Sequence, residues 1–409
     1  MRILFFSHYF PPEVNAPAIR TYEHCRLWVQ AGHEVHVVTC VPSHPAGVPF
    51  PGYRRSWYRM EETDGVRVHR VWTYLAANQG VVRRALNYIA YVPTAVWRAL
   101  RLGRFDVIVA TSPQFFCAVA GGIAASLKRT PWVFELRDLW PDSIAAVGAI
   151  RRRALLRLLE RLELALYRRA SVVACLTRSF AENLERRGIP VEKLVYLPNG
   201  VDPVYWSAPA PAGTRERYGA QPDQIVASYV GTVGMAHGLG TLLDAAGALQ
   251  TTCPSARIFI VGDGARRREL ESSAVDRGLS NVVFTGLVPH ADARDLLVAS
   301  DLALVLLRKT PLFETVIPSK MLEAFASGIP VILGVGGEAR RILEEAGAGV
   351  AITPEDSEAL AAAISHLATD KTARRRMGES GRLYAGREFN RAVWSARYLE
   401  LLEKVRSQE

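Results

Sequence analysis

Lys320 and Glu323 lie three residues apart in an otherwise apolar stretch, TVIPSKMLEAFASGIPVI, residues 315–332. The apolar period predicts a short helix that starts near Ser319 and stops at Gly328, then a strand over residues 330–335. With Ser319 as N-cap, Lys320 is the first helical residue and Glu323 the fourth. Ser319, Lys320, Glu323 and Ser327 then share one face, and Met321, Leu322 and Phe325 share the other, which packs on a sheet. A carboxylate placed there accepts two hydroxyl hydrogen bonds, the pattern a ribose diol offers. Two plainer readings stay open: a surface ion pair at i,i+3, or a capping box with the boundary moved by one.

Glycines at three strand ends point to the same chemistry. VGTVGMAHGLGTL places Gly231, Gly234, Gly238 and Gly240 where a helix should begin, with Thr232 and His237 among them. Gly262 in VGDG ends the next strand, and TGLV, with Leu287 and Val288, ends the one after. Glycine lets a backbone approach a phosphate, and free N–H groups at a helix start face negative charge. The loop after the first strand, SHYFPPEVNAPAIR, lacks G-x-G-x-x-G, which argues against a nicotinamide dinucleotide. Its Asn15 and Ala16 still precede a helix N-terminus that can meet an anion; an ordinary connecting loop is the alternative.

These residues need sheets to position them. Short apolar strands over residues 2–7, 33–40, 66–72, 106–111, 132–136, 171–176 and 194–197 alternate with helical stretches. A linker rich in Ala, Pro and Gly follows at 207–223. The alternation restarts with strands at 225–231, 257–264, 281–288, 302–307, 330–335 and 349–353. This is α/β: two doubly wound, Rossmann-like domains, with ligands expected at the carboxyl ends of the strands and in the cleft between the domains. The expected divisions are 1–202, 203–385, and a closing helix in 386–409 that returns to the first domain.

Composition excludes several classes. With 49% hydrophobic and 22% charged residues, the 409-residue chain is globular. The net charge of +10 collects in arginine clusters such as 151–153 and 266–268, which suit acidic partners or form solvated helix faces. Five scattered cysteines form no C-x-x-C, so neither a zinc site nor a disulfide framework is expected. No apolar run reaches the ~18–20 residues of a membrane span, and the N-terminal run is too short for a signal peptide. The segment 81–104 mixes Tyr88, Tyr91 and Trp97 with Arg83, Arg84, Arg98, Arg101 and Arg104, which is interfacial chemistry or a packed helix with a basic face.

The pattern S-K-x-x-E-A-x-A-x-G-x-P-V-I, with FPPE, DLWPDS (138–143), PNGVD (198–202), VGDG and the closing helix, resembles the retaining GT-B glycosyltransferases of family four. The nearest branch serves O-antigen, lipopolysaccharide and exopolysaccharide synthesis and transfers sugars of the N-acetyl-L-fucosamine type. The resemblance implies a GT-B fold, a nucleotide-sugar donor (UDP-linked) in the second domain and an acceptor in the first. Glu323 becomes the ribose ligand. The family's other glutamate, seven residues before, falls on Thr315, with Glu314 one position earlier. Its diphosphate-binding Arg and Lys fall on Thr232 and His237, so Arg308, Lys309 or Lys320 is expected to supply the charge.

The family's histidine near DLWP is replaced by Arg137, which with Asp138 forms the catalytic candidate pair, unless the two make a structural ion pair. No D-x-D occurs, so neither a metal nor another cofactor is expected; helix dipoles and basic side chains would hold the diphosphate. The implied acceptor is a polyprenyl-diphosphate-linked saccharide, met by a peripheral protein on the cytoplasmic face of the inner membrane; no nucleic acid partner is implied. A transferase with a soluble acceptor and a non-catalytic nucleotide-sugar-binding protein remain as alternatives.

Overall fold

A computed structural model describes residues 1–76, 81–141, 153–207 and 209–407. The chain divides into two compact units, Met1–Asn199 with Ala392–Glu409, and Gly200–Arg391. The divisions therefore fall at 199/200 and 391/392, and not at 202/203 and 385/386. The reason is local: Val201 N–H donates to the Phe389 carbonyl (2.8 Å), and Arg391 reaches back to Asp202 (2.9 Å), which ties both segments to the second unit.

The first unit holds an eight-stranded sheet in the order β3-β4-β2-β1-β5-β6-β7-β8. Its strands are β1 Arg2–Phe6, β2 Glu34–Cys40, β3 Tyr58–Thr63, β4 Val66–Val71, β5 Val107–Thr111, β6 Trp132–Leu136, β7 Val172–Cys175 and β8 Leu194–Tyr196. All pairs are parallel except β3–β4. Central strands such as β1 and β5 are buried on both faces, as expected for parallel strands covered by helices. The strand β3 has no apolar run to announce it. It is an edge strand, YRMEET, joined to β4 by Asp64-Gly65, both at positive φ (47° and 78°). That is the hairpin turn that matches strand twist, and charged residues blunt the exposed edge. The closing helix Arg391–Ser407 packs Trp394, Tyr398, Leu402 and Val405 into one core with Phe5, Trp28 and Val35. Trp28 Nε1 donates to the Ser395 carbonyl (3.3 Å).

The second unit holds six parallel strands: β9 Ile225–Val230, β10 Ala256–Val261, β11 Val282–Gly286, β12 Leu302–Leu306, β13 Val331–Gly334 and β14 Gly349–Ala351. Their order is β11-β10-β9-β12-β13-β14. The chain reverses its direction of travel across the sheet between β9 and β12, and open α/β sheets bind ligands at such a switch point, outside the carboxyl ends of the strands. Five free cysteines are buried in the two cores, where they act as small apolar groups.

Several buried histidines give the fold an acid sensitivity. His8 hydrogen-bonds Asn87 Oδ1 (2.8 Å), and burial lowers its pKa to about 4. His69, 2.9 Å from His36, is lowered by burial to about 3. Both are neutral in the fold and charge near pH ~6.5 in the unfolded chain. The stability they contribute is complete above that value and is lost as pH falls through about 4 and 3. The melting temperature should therefore drop between pH 7 and pH 4, and His8→Gln, which keeps a donor for Asn87, should flatten that slope. An unchanged slope in a folded His8→Gln protein would refute the assignment.

Candidate active site

The helix Ser319–Ala326 runs between β12 and β13 and begins at the carboxyl edge of the second sheet. Its N-cap is Pro318, not Ser319. Ser319 is thus the first helical residue, Lys320 the second and Glu323 the fifth, which removes the capping-box explanation for Glu323. Met321, Leu322 and Phe325 are buried in the core of this unit, and this packing fixes the helix and leaves the other face to chemistry. Lys320 and Glu323 do not pair with each other: among the described residues Lys320 forms no ion pair. Its Nζ sits 4.0 Å over the Tyr229 ring and donates to the Tyr229 hydroxyl at 2.8 Å. Burial draws its pKa down to about 7, against the pull of Glu323.

Glu323 is half-buried one turn on. The Tyr205 hydroxyl faces its carboxylate, and burial with that negative charge pushes the tyrosine pKa up. Burial raises the Glu323 pKa, and His290, Lys320, Arg391 and Tyr205 oppose the rise. A carboxylate held this way accepts further hydroxyl donors at low cost, since its positive surroundings are already in place.

The glycines make the edge accessible. At Gly231 (φ 143°) a Cβ would lie 3.0 Å from Lys320 Nζ. At Gly262 (φ 130°) a Cβ would lie 2.1 Å from the Gly231 carbonyl oxygen, so only glycine lets the two strand ends close. A 3-10 turn, Met235–His237, intervenes before the helix Gly240–Thr252, which starts later than the glycine pattern alone suggests. Thr232 is exposed on the loop, and Gly234 is extended backbone beside His237. The His237 ring stands 6.0 Å from the Tyr229 ring, and its buried Nδ1 has no hydrogen-bond partner. At the end of β11, Leu287 is exposed, while Val288 packs against the core cluster that holds Phe259 and Leu296.

The remaining candidates separate by their partners. Arg308 lies 3.7 Å from Glu355, whose other oxygen accepts the Lys309 backbone N–H (2.8 Å). Glu355 therefore offsets that charge, although Arg308 lies against Gly238 and its backbone N–H donates to the Ala236 carbonyl (2.9 Å); Lys320 is seated at Gly231, the other end of the glycine loop. The offset at Glu314 has a structural account. Thr315 Oγ1 donates to the Leu312 carbonyl (2.7 Å), closing a turn that leaves Glu314 exposed and seated on Gly336 and Gly337. A Cβ at Gly337 (φ 63°) would lie 1.9 Å from the Glu314 carbonyl oxygen.

Four candidates belong to the first unit. Asn15 caps the helix Ala16–Gln30 by accepting from Ala18 N–H (3.0 Å), and Ala16 is its first residue. Part of the expected anion-binding terminus is thus satisfied internally, although Asn15 Nδ2 has no partner. Arg137 and Asp138 follow β6, and the Arg137 backbone N–H donates to Ser112 Oγ (2.8 Å). Burial and neighbouring Arg20 lower the Arg137 pKa to about 10, and its Nε and Nη1 lack partners. Arg20 itself bonds Glu135 (2.7 Å) and Asn199 (2.6 Å). Tyr229, Tyr205, His290, Arg391 and the Arg20–Glu135 pair escape sequence reasoning. A tyrosine in an apolar strand looks like any core aromatic until its hydroxyl is seen to meet a lysine.

Known proteins decide the class. The model for the glycosyl transferase 4-like domain matches residues 15–200, and that for glycosyl transferases group 1 matches residues 213–384. The chain belongs to the family-four glycosyltransferases. An Escherichia coli K12 relative, which bears the name of a colanic acid biosynthesis glycosyl transferase, is 25% identical over 376 residues, covering 89% of this chain and 91% of the relative. A lipopolysaccharide core biosynthesis glycosyltransferase of Rhizobium meliloti is 29% identical over 40% of this chain and 46% of its own length. Among solved structures, sucrose-phosphate synthase of Thermosynechococcus elongatus superposes with a TM-score of 0.79 at 19% identity, covering 100% of both chains. Anabaena HepE in complex with UDP-glucose gives 0.74 at 19% identity, covering 99% of this chain and 100% of its own. These likenesses establish GT-B architecture.

The glycine contacts in this glycosyltransferase are testable. Gly262→Ala must push the Gly231 carbonyl aside, with strain of about 1–3 kcal/mol. It should lower the melting temperature and, if a nucleotide-sugar sits at this edge, weaken its binding. Gly240→Ala, with no atom within 4 Å of the new methyl, should change neither. Equal behaviour of the two variants in calorimetric binding would count against the role given to the loop.

Proposed function

We propose that this glycosyltransferase moves a sugar, of acetamido-deoxy hexose type, from a UDP-sugar to a lipid-linked saccharide in cell-surface polysaccharide synthesis, with retention at the anomeric carbon. The observation that carries the reading is the helix Ser319–Ala326, which sets Lys320 beside Gly231 and Glu323 one turn further on. Glu323 would accept the ribose hydroxyls, and Lys320 would face the diphosphate. The printed names of the relatives in colanic acid and lipopolysaccharide synthesis support the acceptor class, and the UDP and UDP-glucose complexes of HepE support the donor class.

In this reading Lys320 stabilises charge that grows on the diphosphate as the glycosidic bond breaks, the kind of preorganised electrostatic help that lowers barriers most. The acceptor hydroxyl attacks the face the diphosphate leaves, and the departing diphosphate takes its proton. Arg137 and Asp138, at the end of β6, are the catalytic candidates of the first unit. No step calls on a metal, so activity should survive EDTA. Strict dependence on a divalent cation would sink that part.

Glu323→Gln keeps the shape and removes the charge. Each hydrogen bond to a charged group contributes ~1.5–3 kcal/mol, so kcat/KM for transfer from the donor should fall roughly ten- to thousand-fold. Wild-type turnover in a folded Glu323→Gln protein would reject the ribose role.

Membrane attachment belongs to the same reading. On the helix Val81–Arg101, Leu86, Ile89, Trp97 and Leu100 are exposed, and Arg101 lies over the Trp97 ring (4.0 Å). Of the three aromatics singled out in the sequence, Tyr91 is not available: it is fully buried and donates to the Val38 carbonyl (2.7 Å). Among the described residues no helix is long and apolar enough to cross a membrane. Binding to anionic vesicles should weaken with salt, since screening acts within ~8–10 Å, and Trp97→Ala should weaken it further. Salt-independent binding, or none at low salt, would rule the surface out.

A further inference from the structure

We propose that the donor's diphosphate enters its seat together with a proton, taken up by Lys320 and His237 side by side. The inference rests on the reading that the second unit holds a nucleotide-sugar, and it names how the missing Arg and Lys of the glycine loop are replaced.

The geometry is a cluster of two basic groups on one aromatic ring. Lys320 Nζ lies 4.0 Å over the Tyr229 ring and 2.8 Å from its hydroxyl. The His237 ring stands 6.0 Å from the same ring at 70°, with Nδ1 buried and unpartnered. The groups facing this pair are few. Tyr229 comes from β9 and donates its hydroxyl to the Thr232 carbonyl (2.7 Å). Glu323 comes from the lysine's own helix and faces Tyr205, His290 and Arg391 as well as Lys320. Arg308 and Glu355 lie against Gly238, next in the chain to His237, and offset each other at 3.7 Å.

A seat with two basic nitrogens and no dedicated carboxylate resists holding charge when empty. The individual groups behave accordingly. Burial draws Lys320 to about 7 and His237 to about 4, with Lys320 adding to the second effect. A diphosphate diester is a dianion near neutral pH and titrates nowhere near it. Its arrival reverses the balance, because an adjacent opposite charge favours the protonated form of both side chains. The bound-state pKa values then exceed the free-state ones. Affinity is therefore greatest at low pH and declines as pH rises through the free Lys320 value toward the bound one.

The test is calorimetric titration of UDP-glucose, UDP-N-acetylglucosamine and GDP-mannose into the full chain at pH 8, in phosphate and in Tris. The two buffers differ in ionisation enthalpy, so the difference in heat counts protons. Uptake of about one proton is expected, with Kd rising up to ~10-fold per pH unit between pH 7 and 9. Lys320→Met should abolish most of the uptake and His237→Gln a smaller part. Lys320→Arg, permanently charged, should bind with reduced uptake, and its melting temperature guards against a folding artefact. Binding without proton uptake, or uptake unchanged in every variant, overturns the inference and leaves nucleotide binding standing. Failure of all three donors to bind the wild-type chain overturns the underlying reading as well.

Discussion

The Lys320 amine laid on the face of Tyr229, in no ion pair among the described residues, is the contact on which the glycine-lined edge of the second sheet depends. An isolated buried charge is costly. Here the ring quadrupole, one hydroxyl and the nearby Glu323 lower that cost without removing the charge's appetite for an anion. The constraint spreads outward. The lysine can reach the ring only if the helix Ser319–Ala326 starts at the strand edge, which Pro318 ensures. Position 231 without a side chain gives it room, since a Cβ there would sit 3.0 Å from Nζ and press the ammonium aside by a few tenths of an ångström. That close approach in turn needs Gly262, whose Cβ would strike the Gly231 carbonyl.

Sequence reasoning reaches some of this arrangement for clear physical reasons. Apolar strands alternating with helices leave little choice but parallel sheets; the second sheet is wholly parallel and the first is parallel apart from the β3–β4 hairpin. Glycines at strand ends mark close backbone approach, and Gly231 and Gly262 make it. What stays hidden is whatever depends on a partner distant in sequence. Tyr229 and Lys320 are 91 residues apart, and nothing local in either segment signals the other. The strand β3 hides for a different reason. An edge strand buries little and can be polar throughout, so periodicity has nothing to register. The helix start shifts by one residue because Pro318 takes the cap that Ser319 was expected to fill, and boundaries are the least certain feature of any such reading.

The first unit shows a contrasting way of placing charge. Arg20 and Glu135 are both nearly inaccessible and joined at 2.7 Å, with Asn199 accepting from a second guanidinium nitrogen. That pair is not fully satisfied: Arg20 Nη2 and Glu135 Oε2 are buried without a partner. Burial and like charge from Arg20 press on Arg137 beside it, and its Nε and Nη1 lack partners as well. Buried polar groups are ordinarily hydrogen-bonded, so these three side chains together keep capacity for a ligand.

Glu323 sits in the field of His290, Lys320 and Arg391, with the Tyr205 hydroxyl facing it. A carboxylate has about four acceptor directions. Enough directions remain for a diol. A ribose would therefore join an already oriented carboxylate and need not dislodge a competitor. Orientation of that kind removes part of the ordering cost that binding otherwise carries. Met321, Leu322 and Phe325 anchor the helix in the core, and Lys320 and Glu323 lie in its N-terminal half, so their positions are set by where the helix starts.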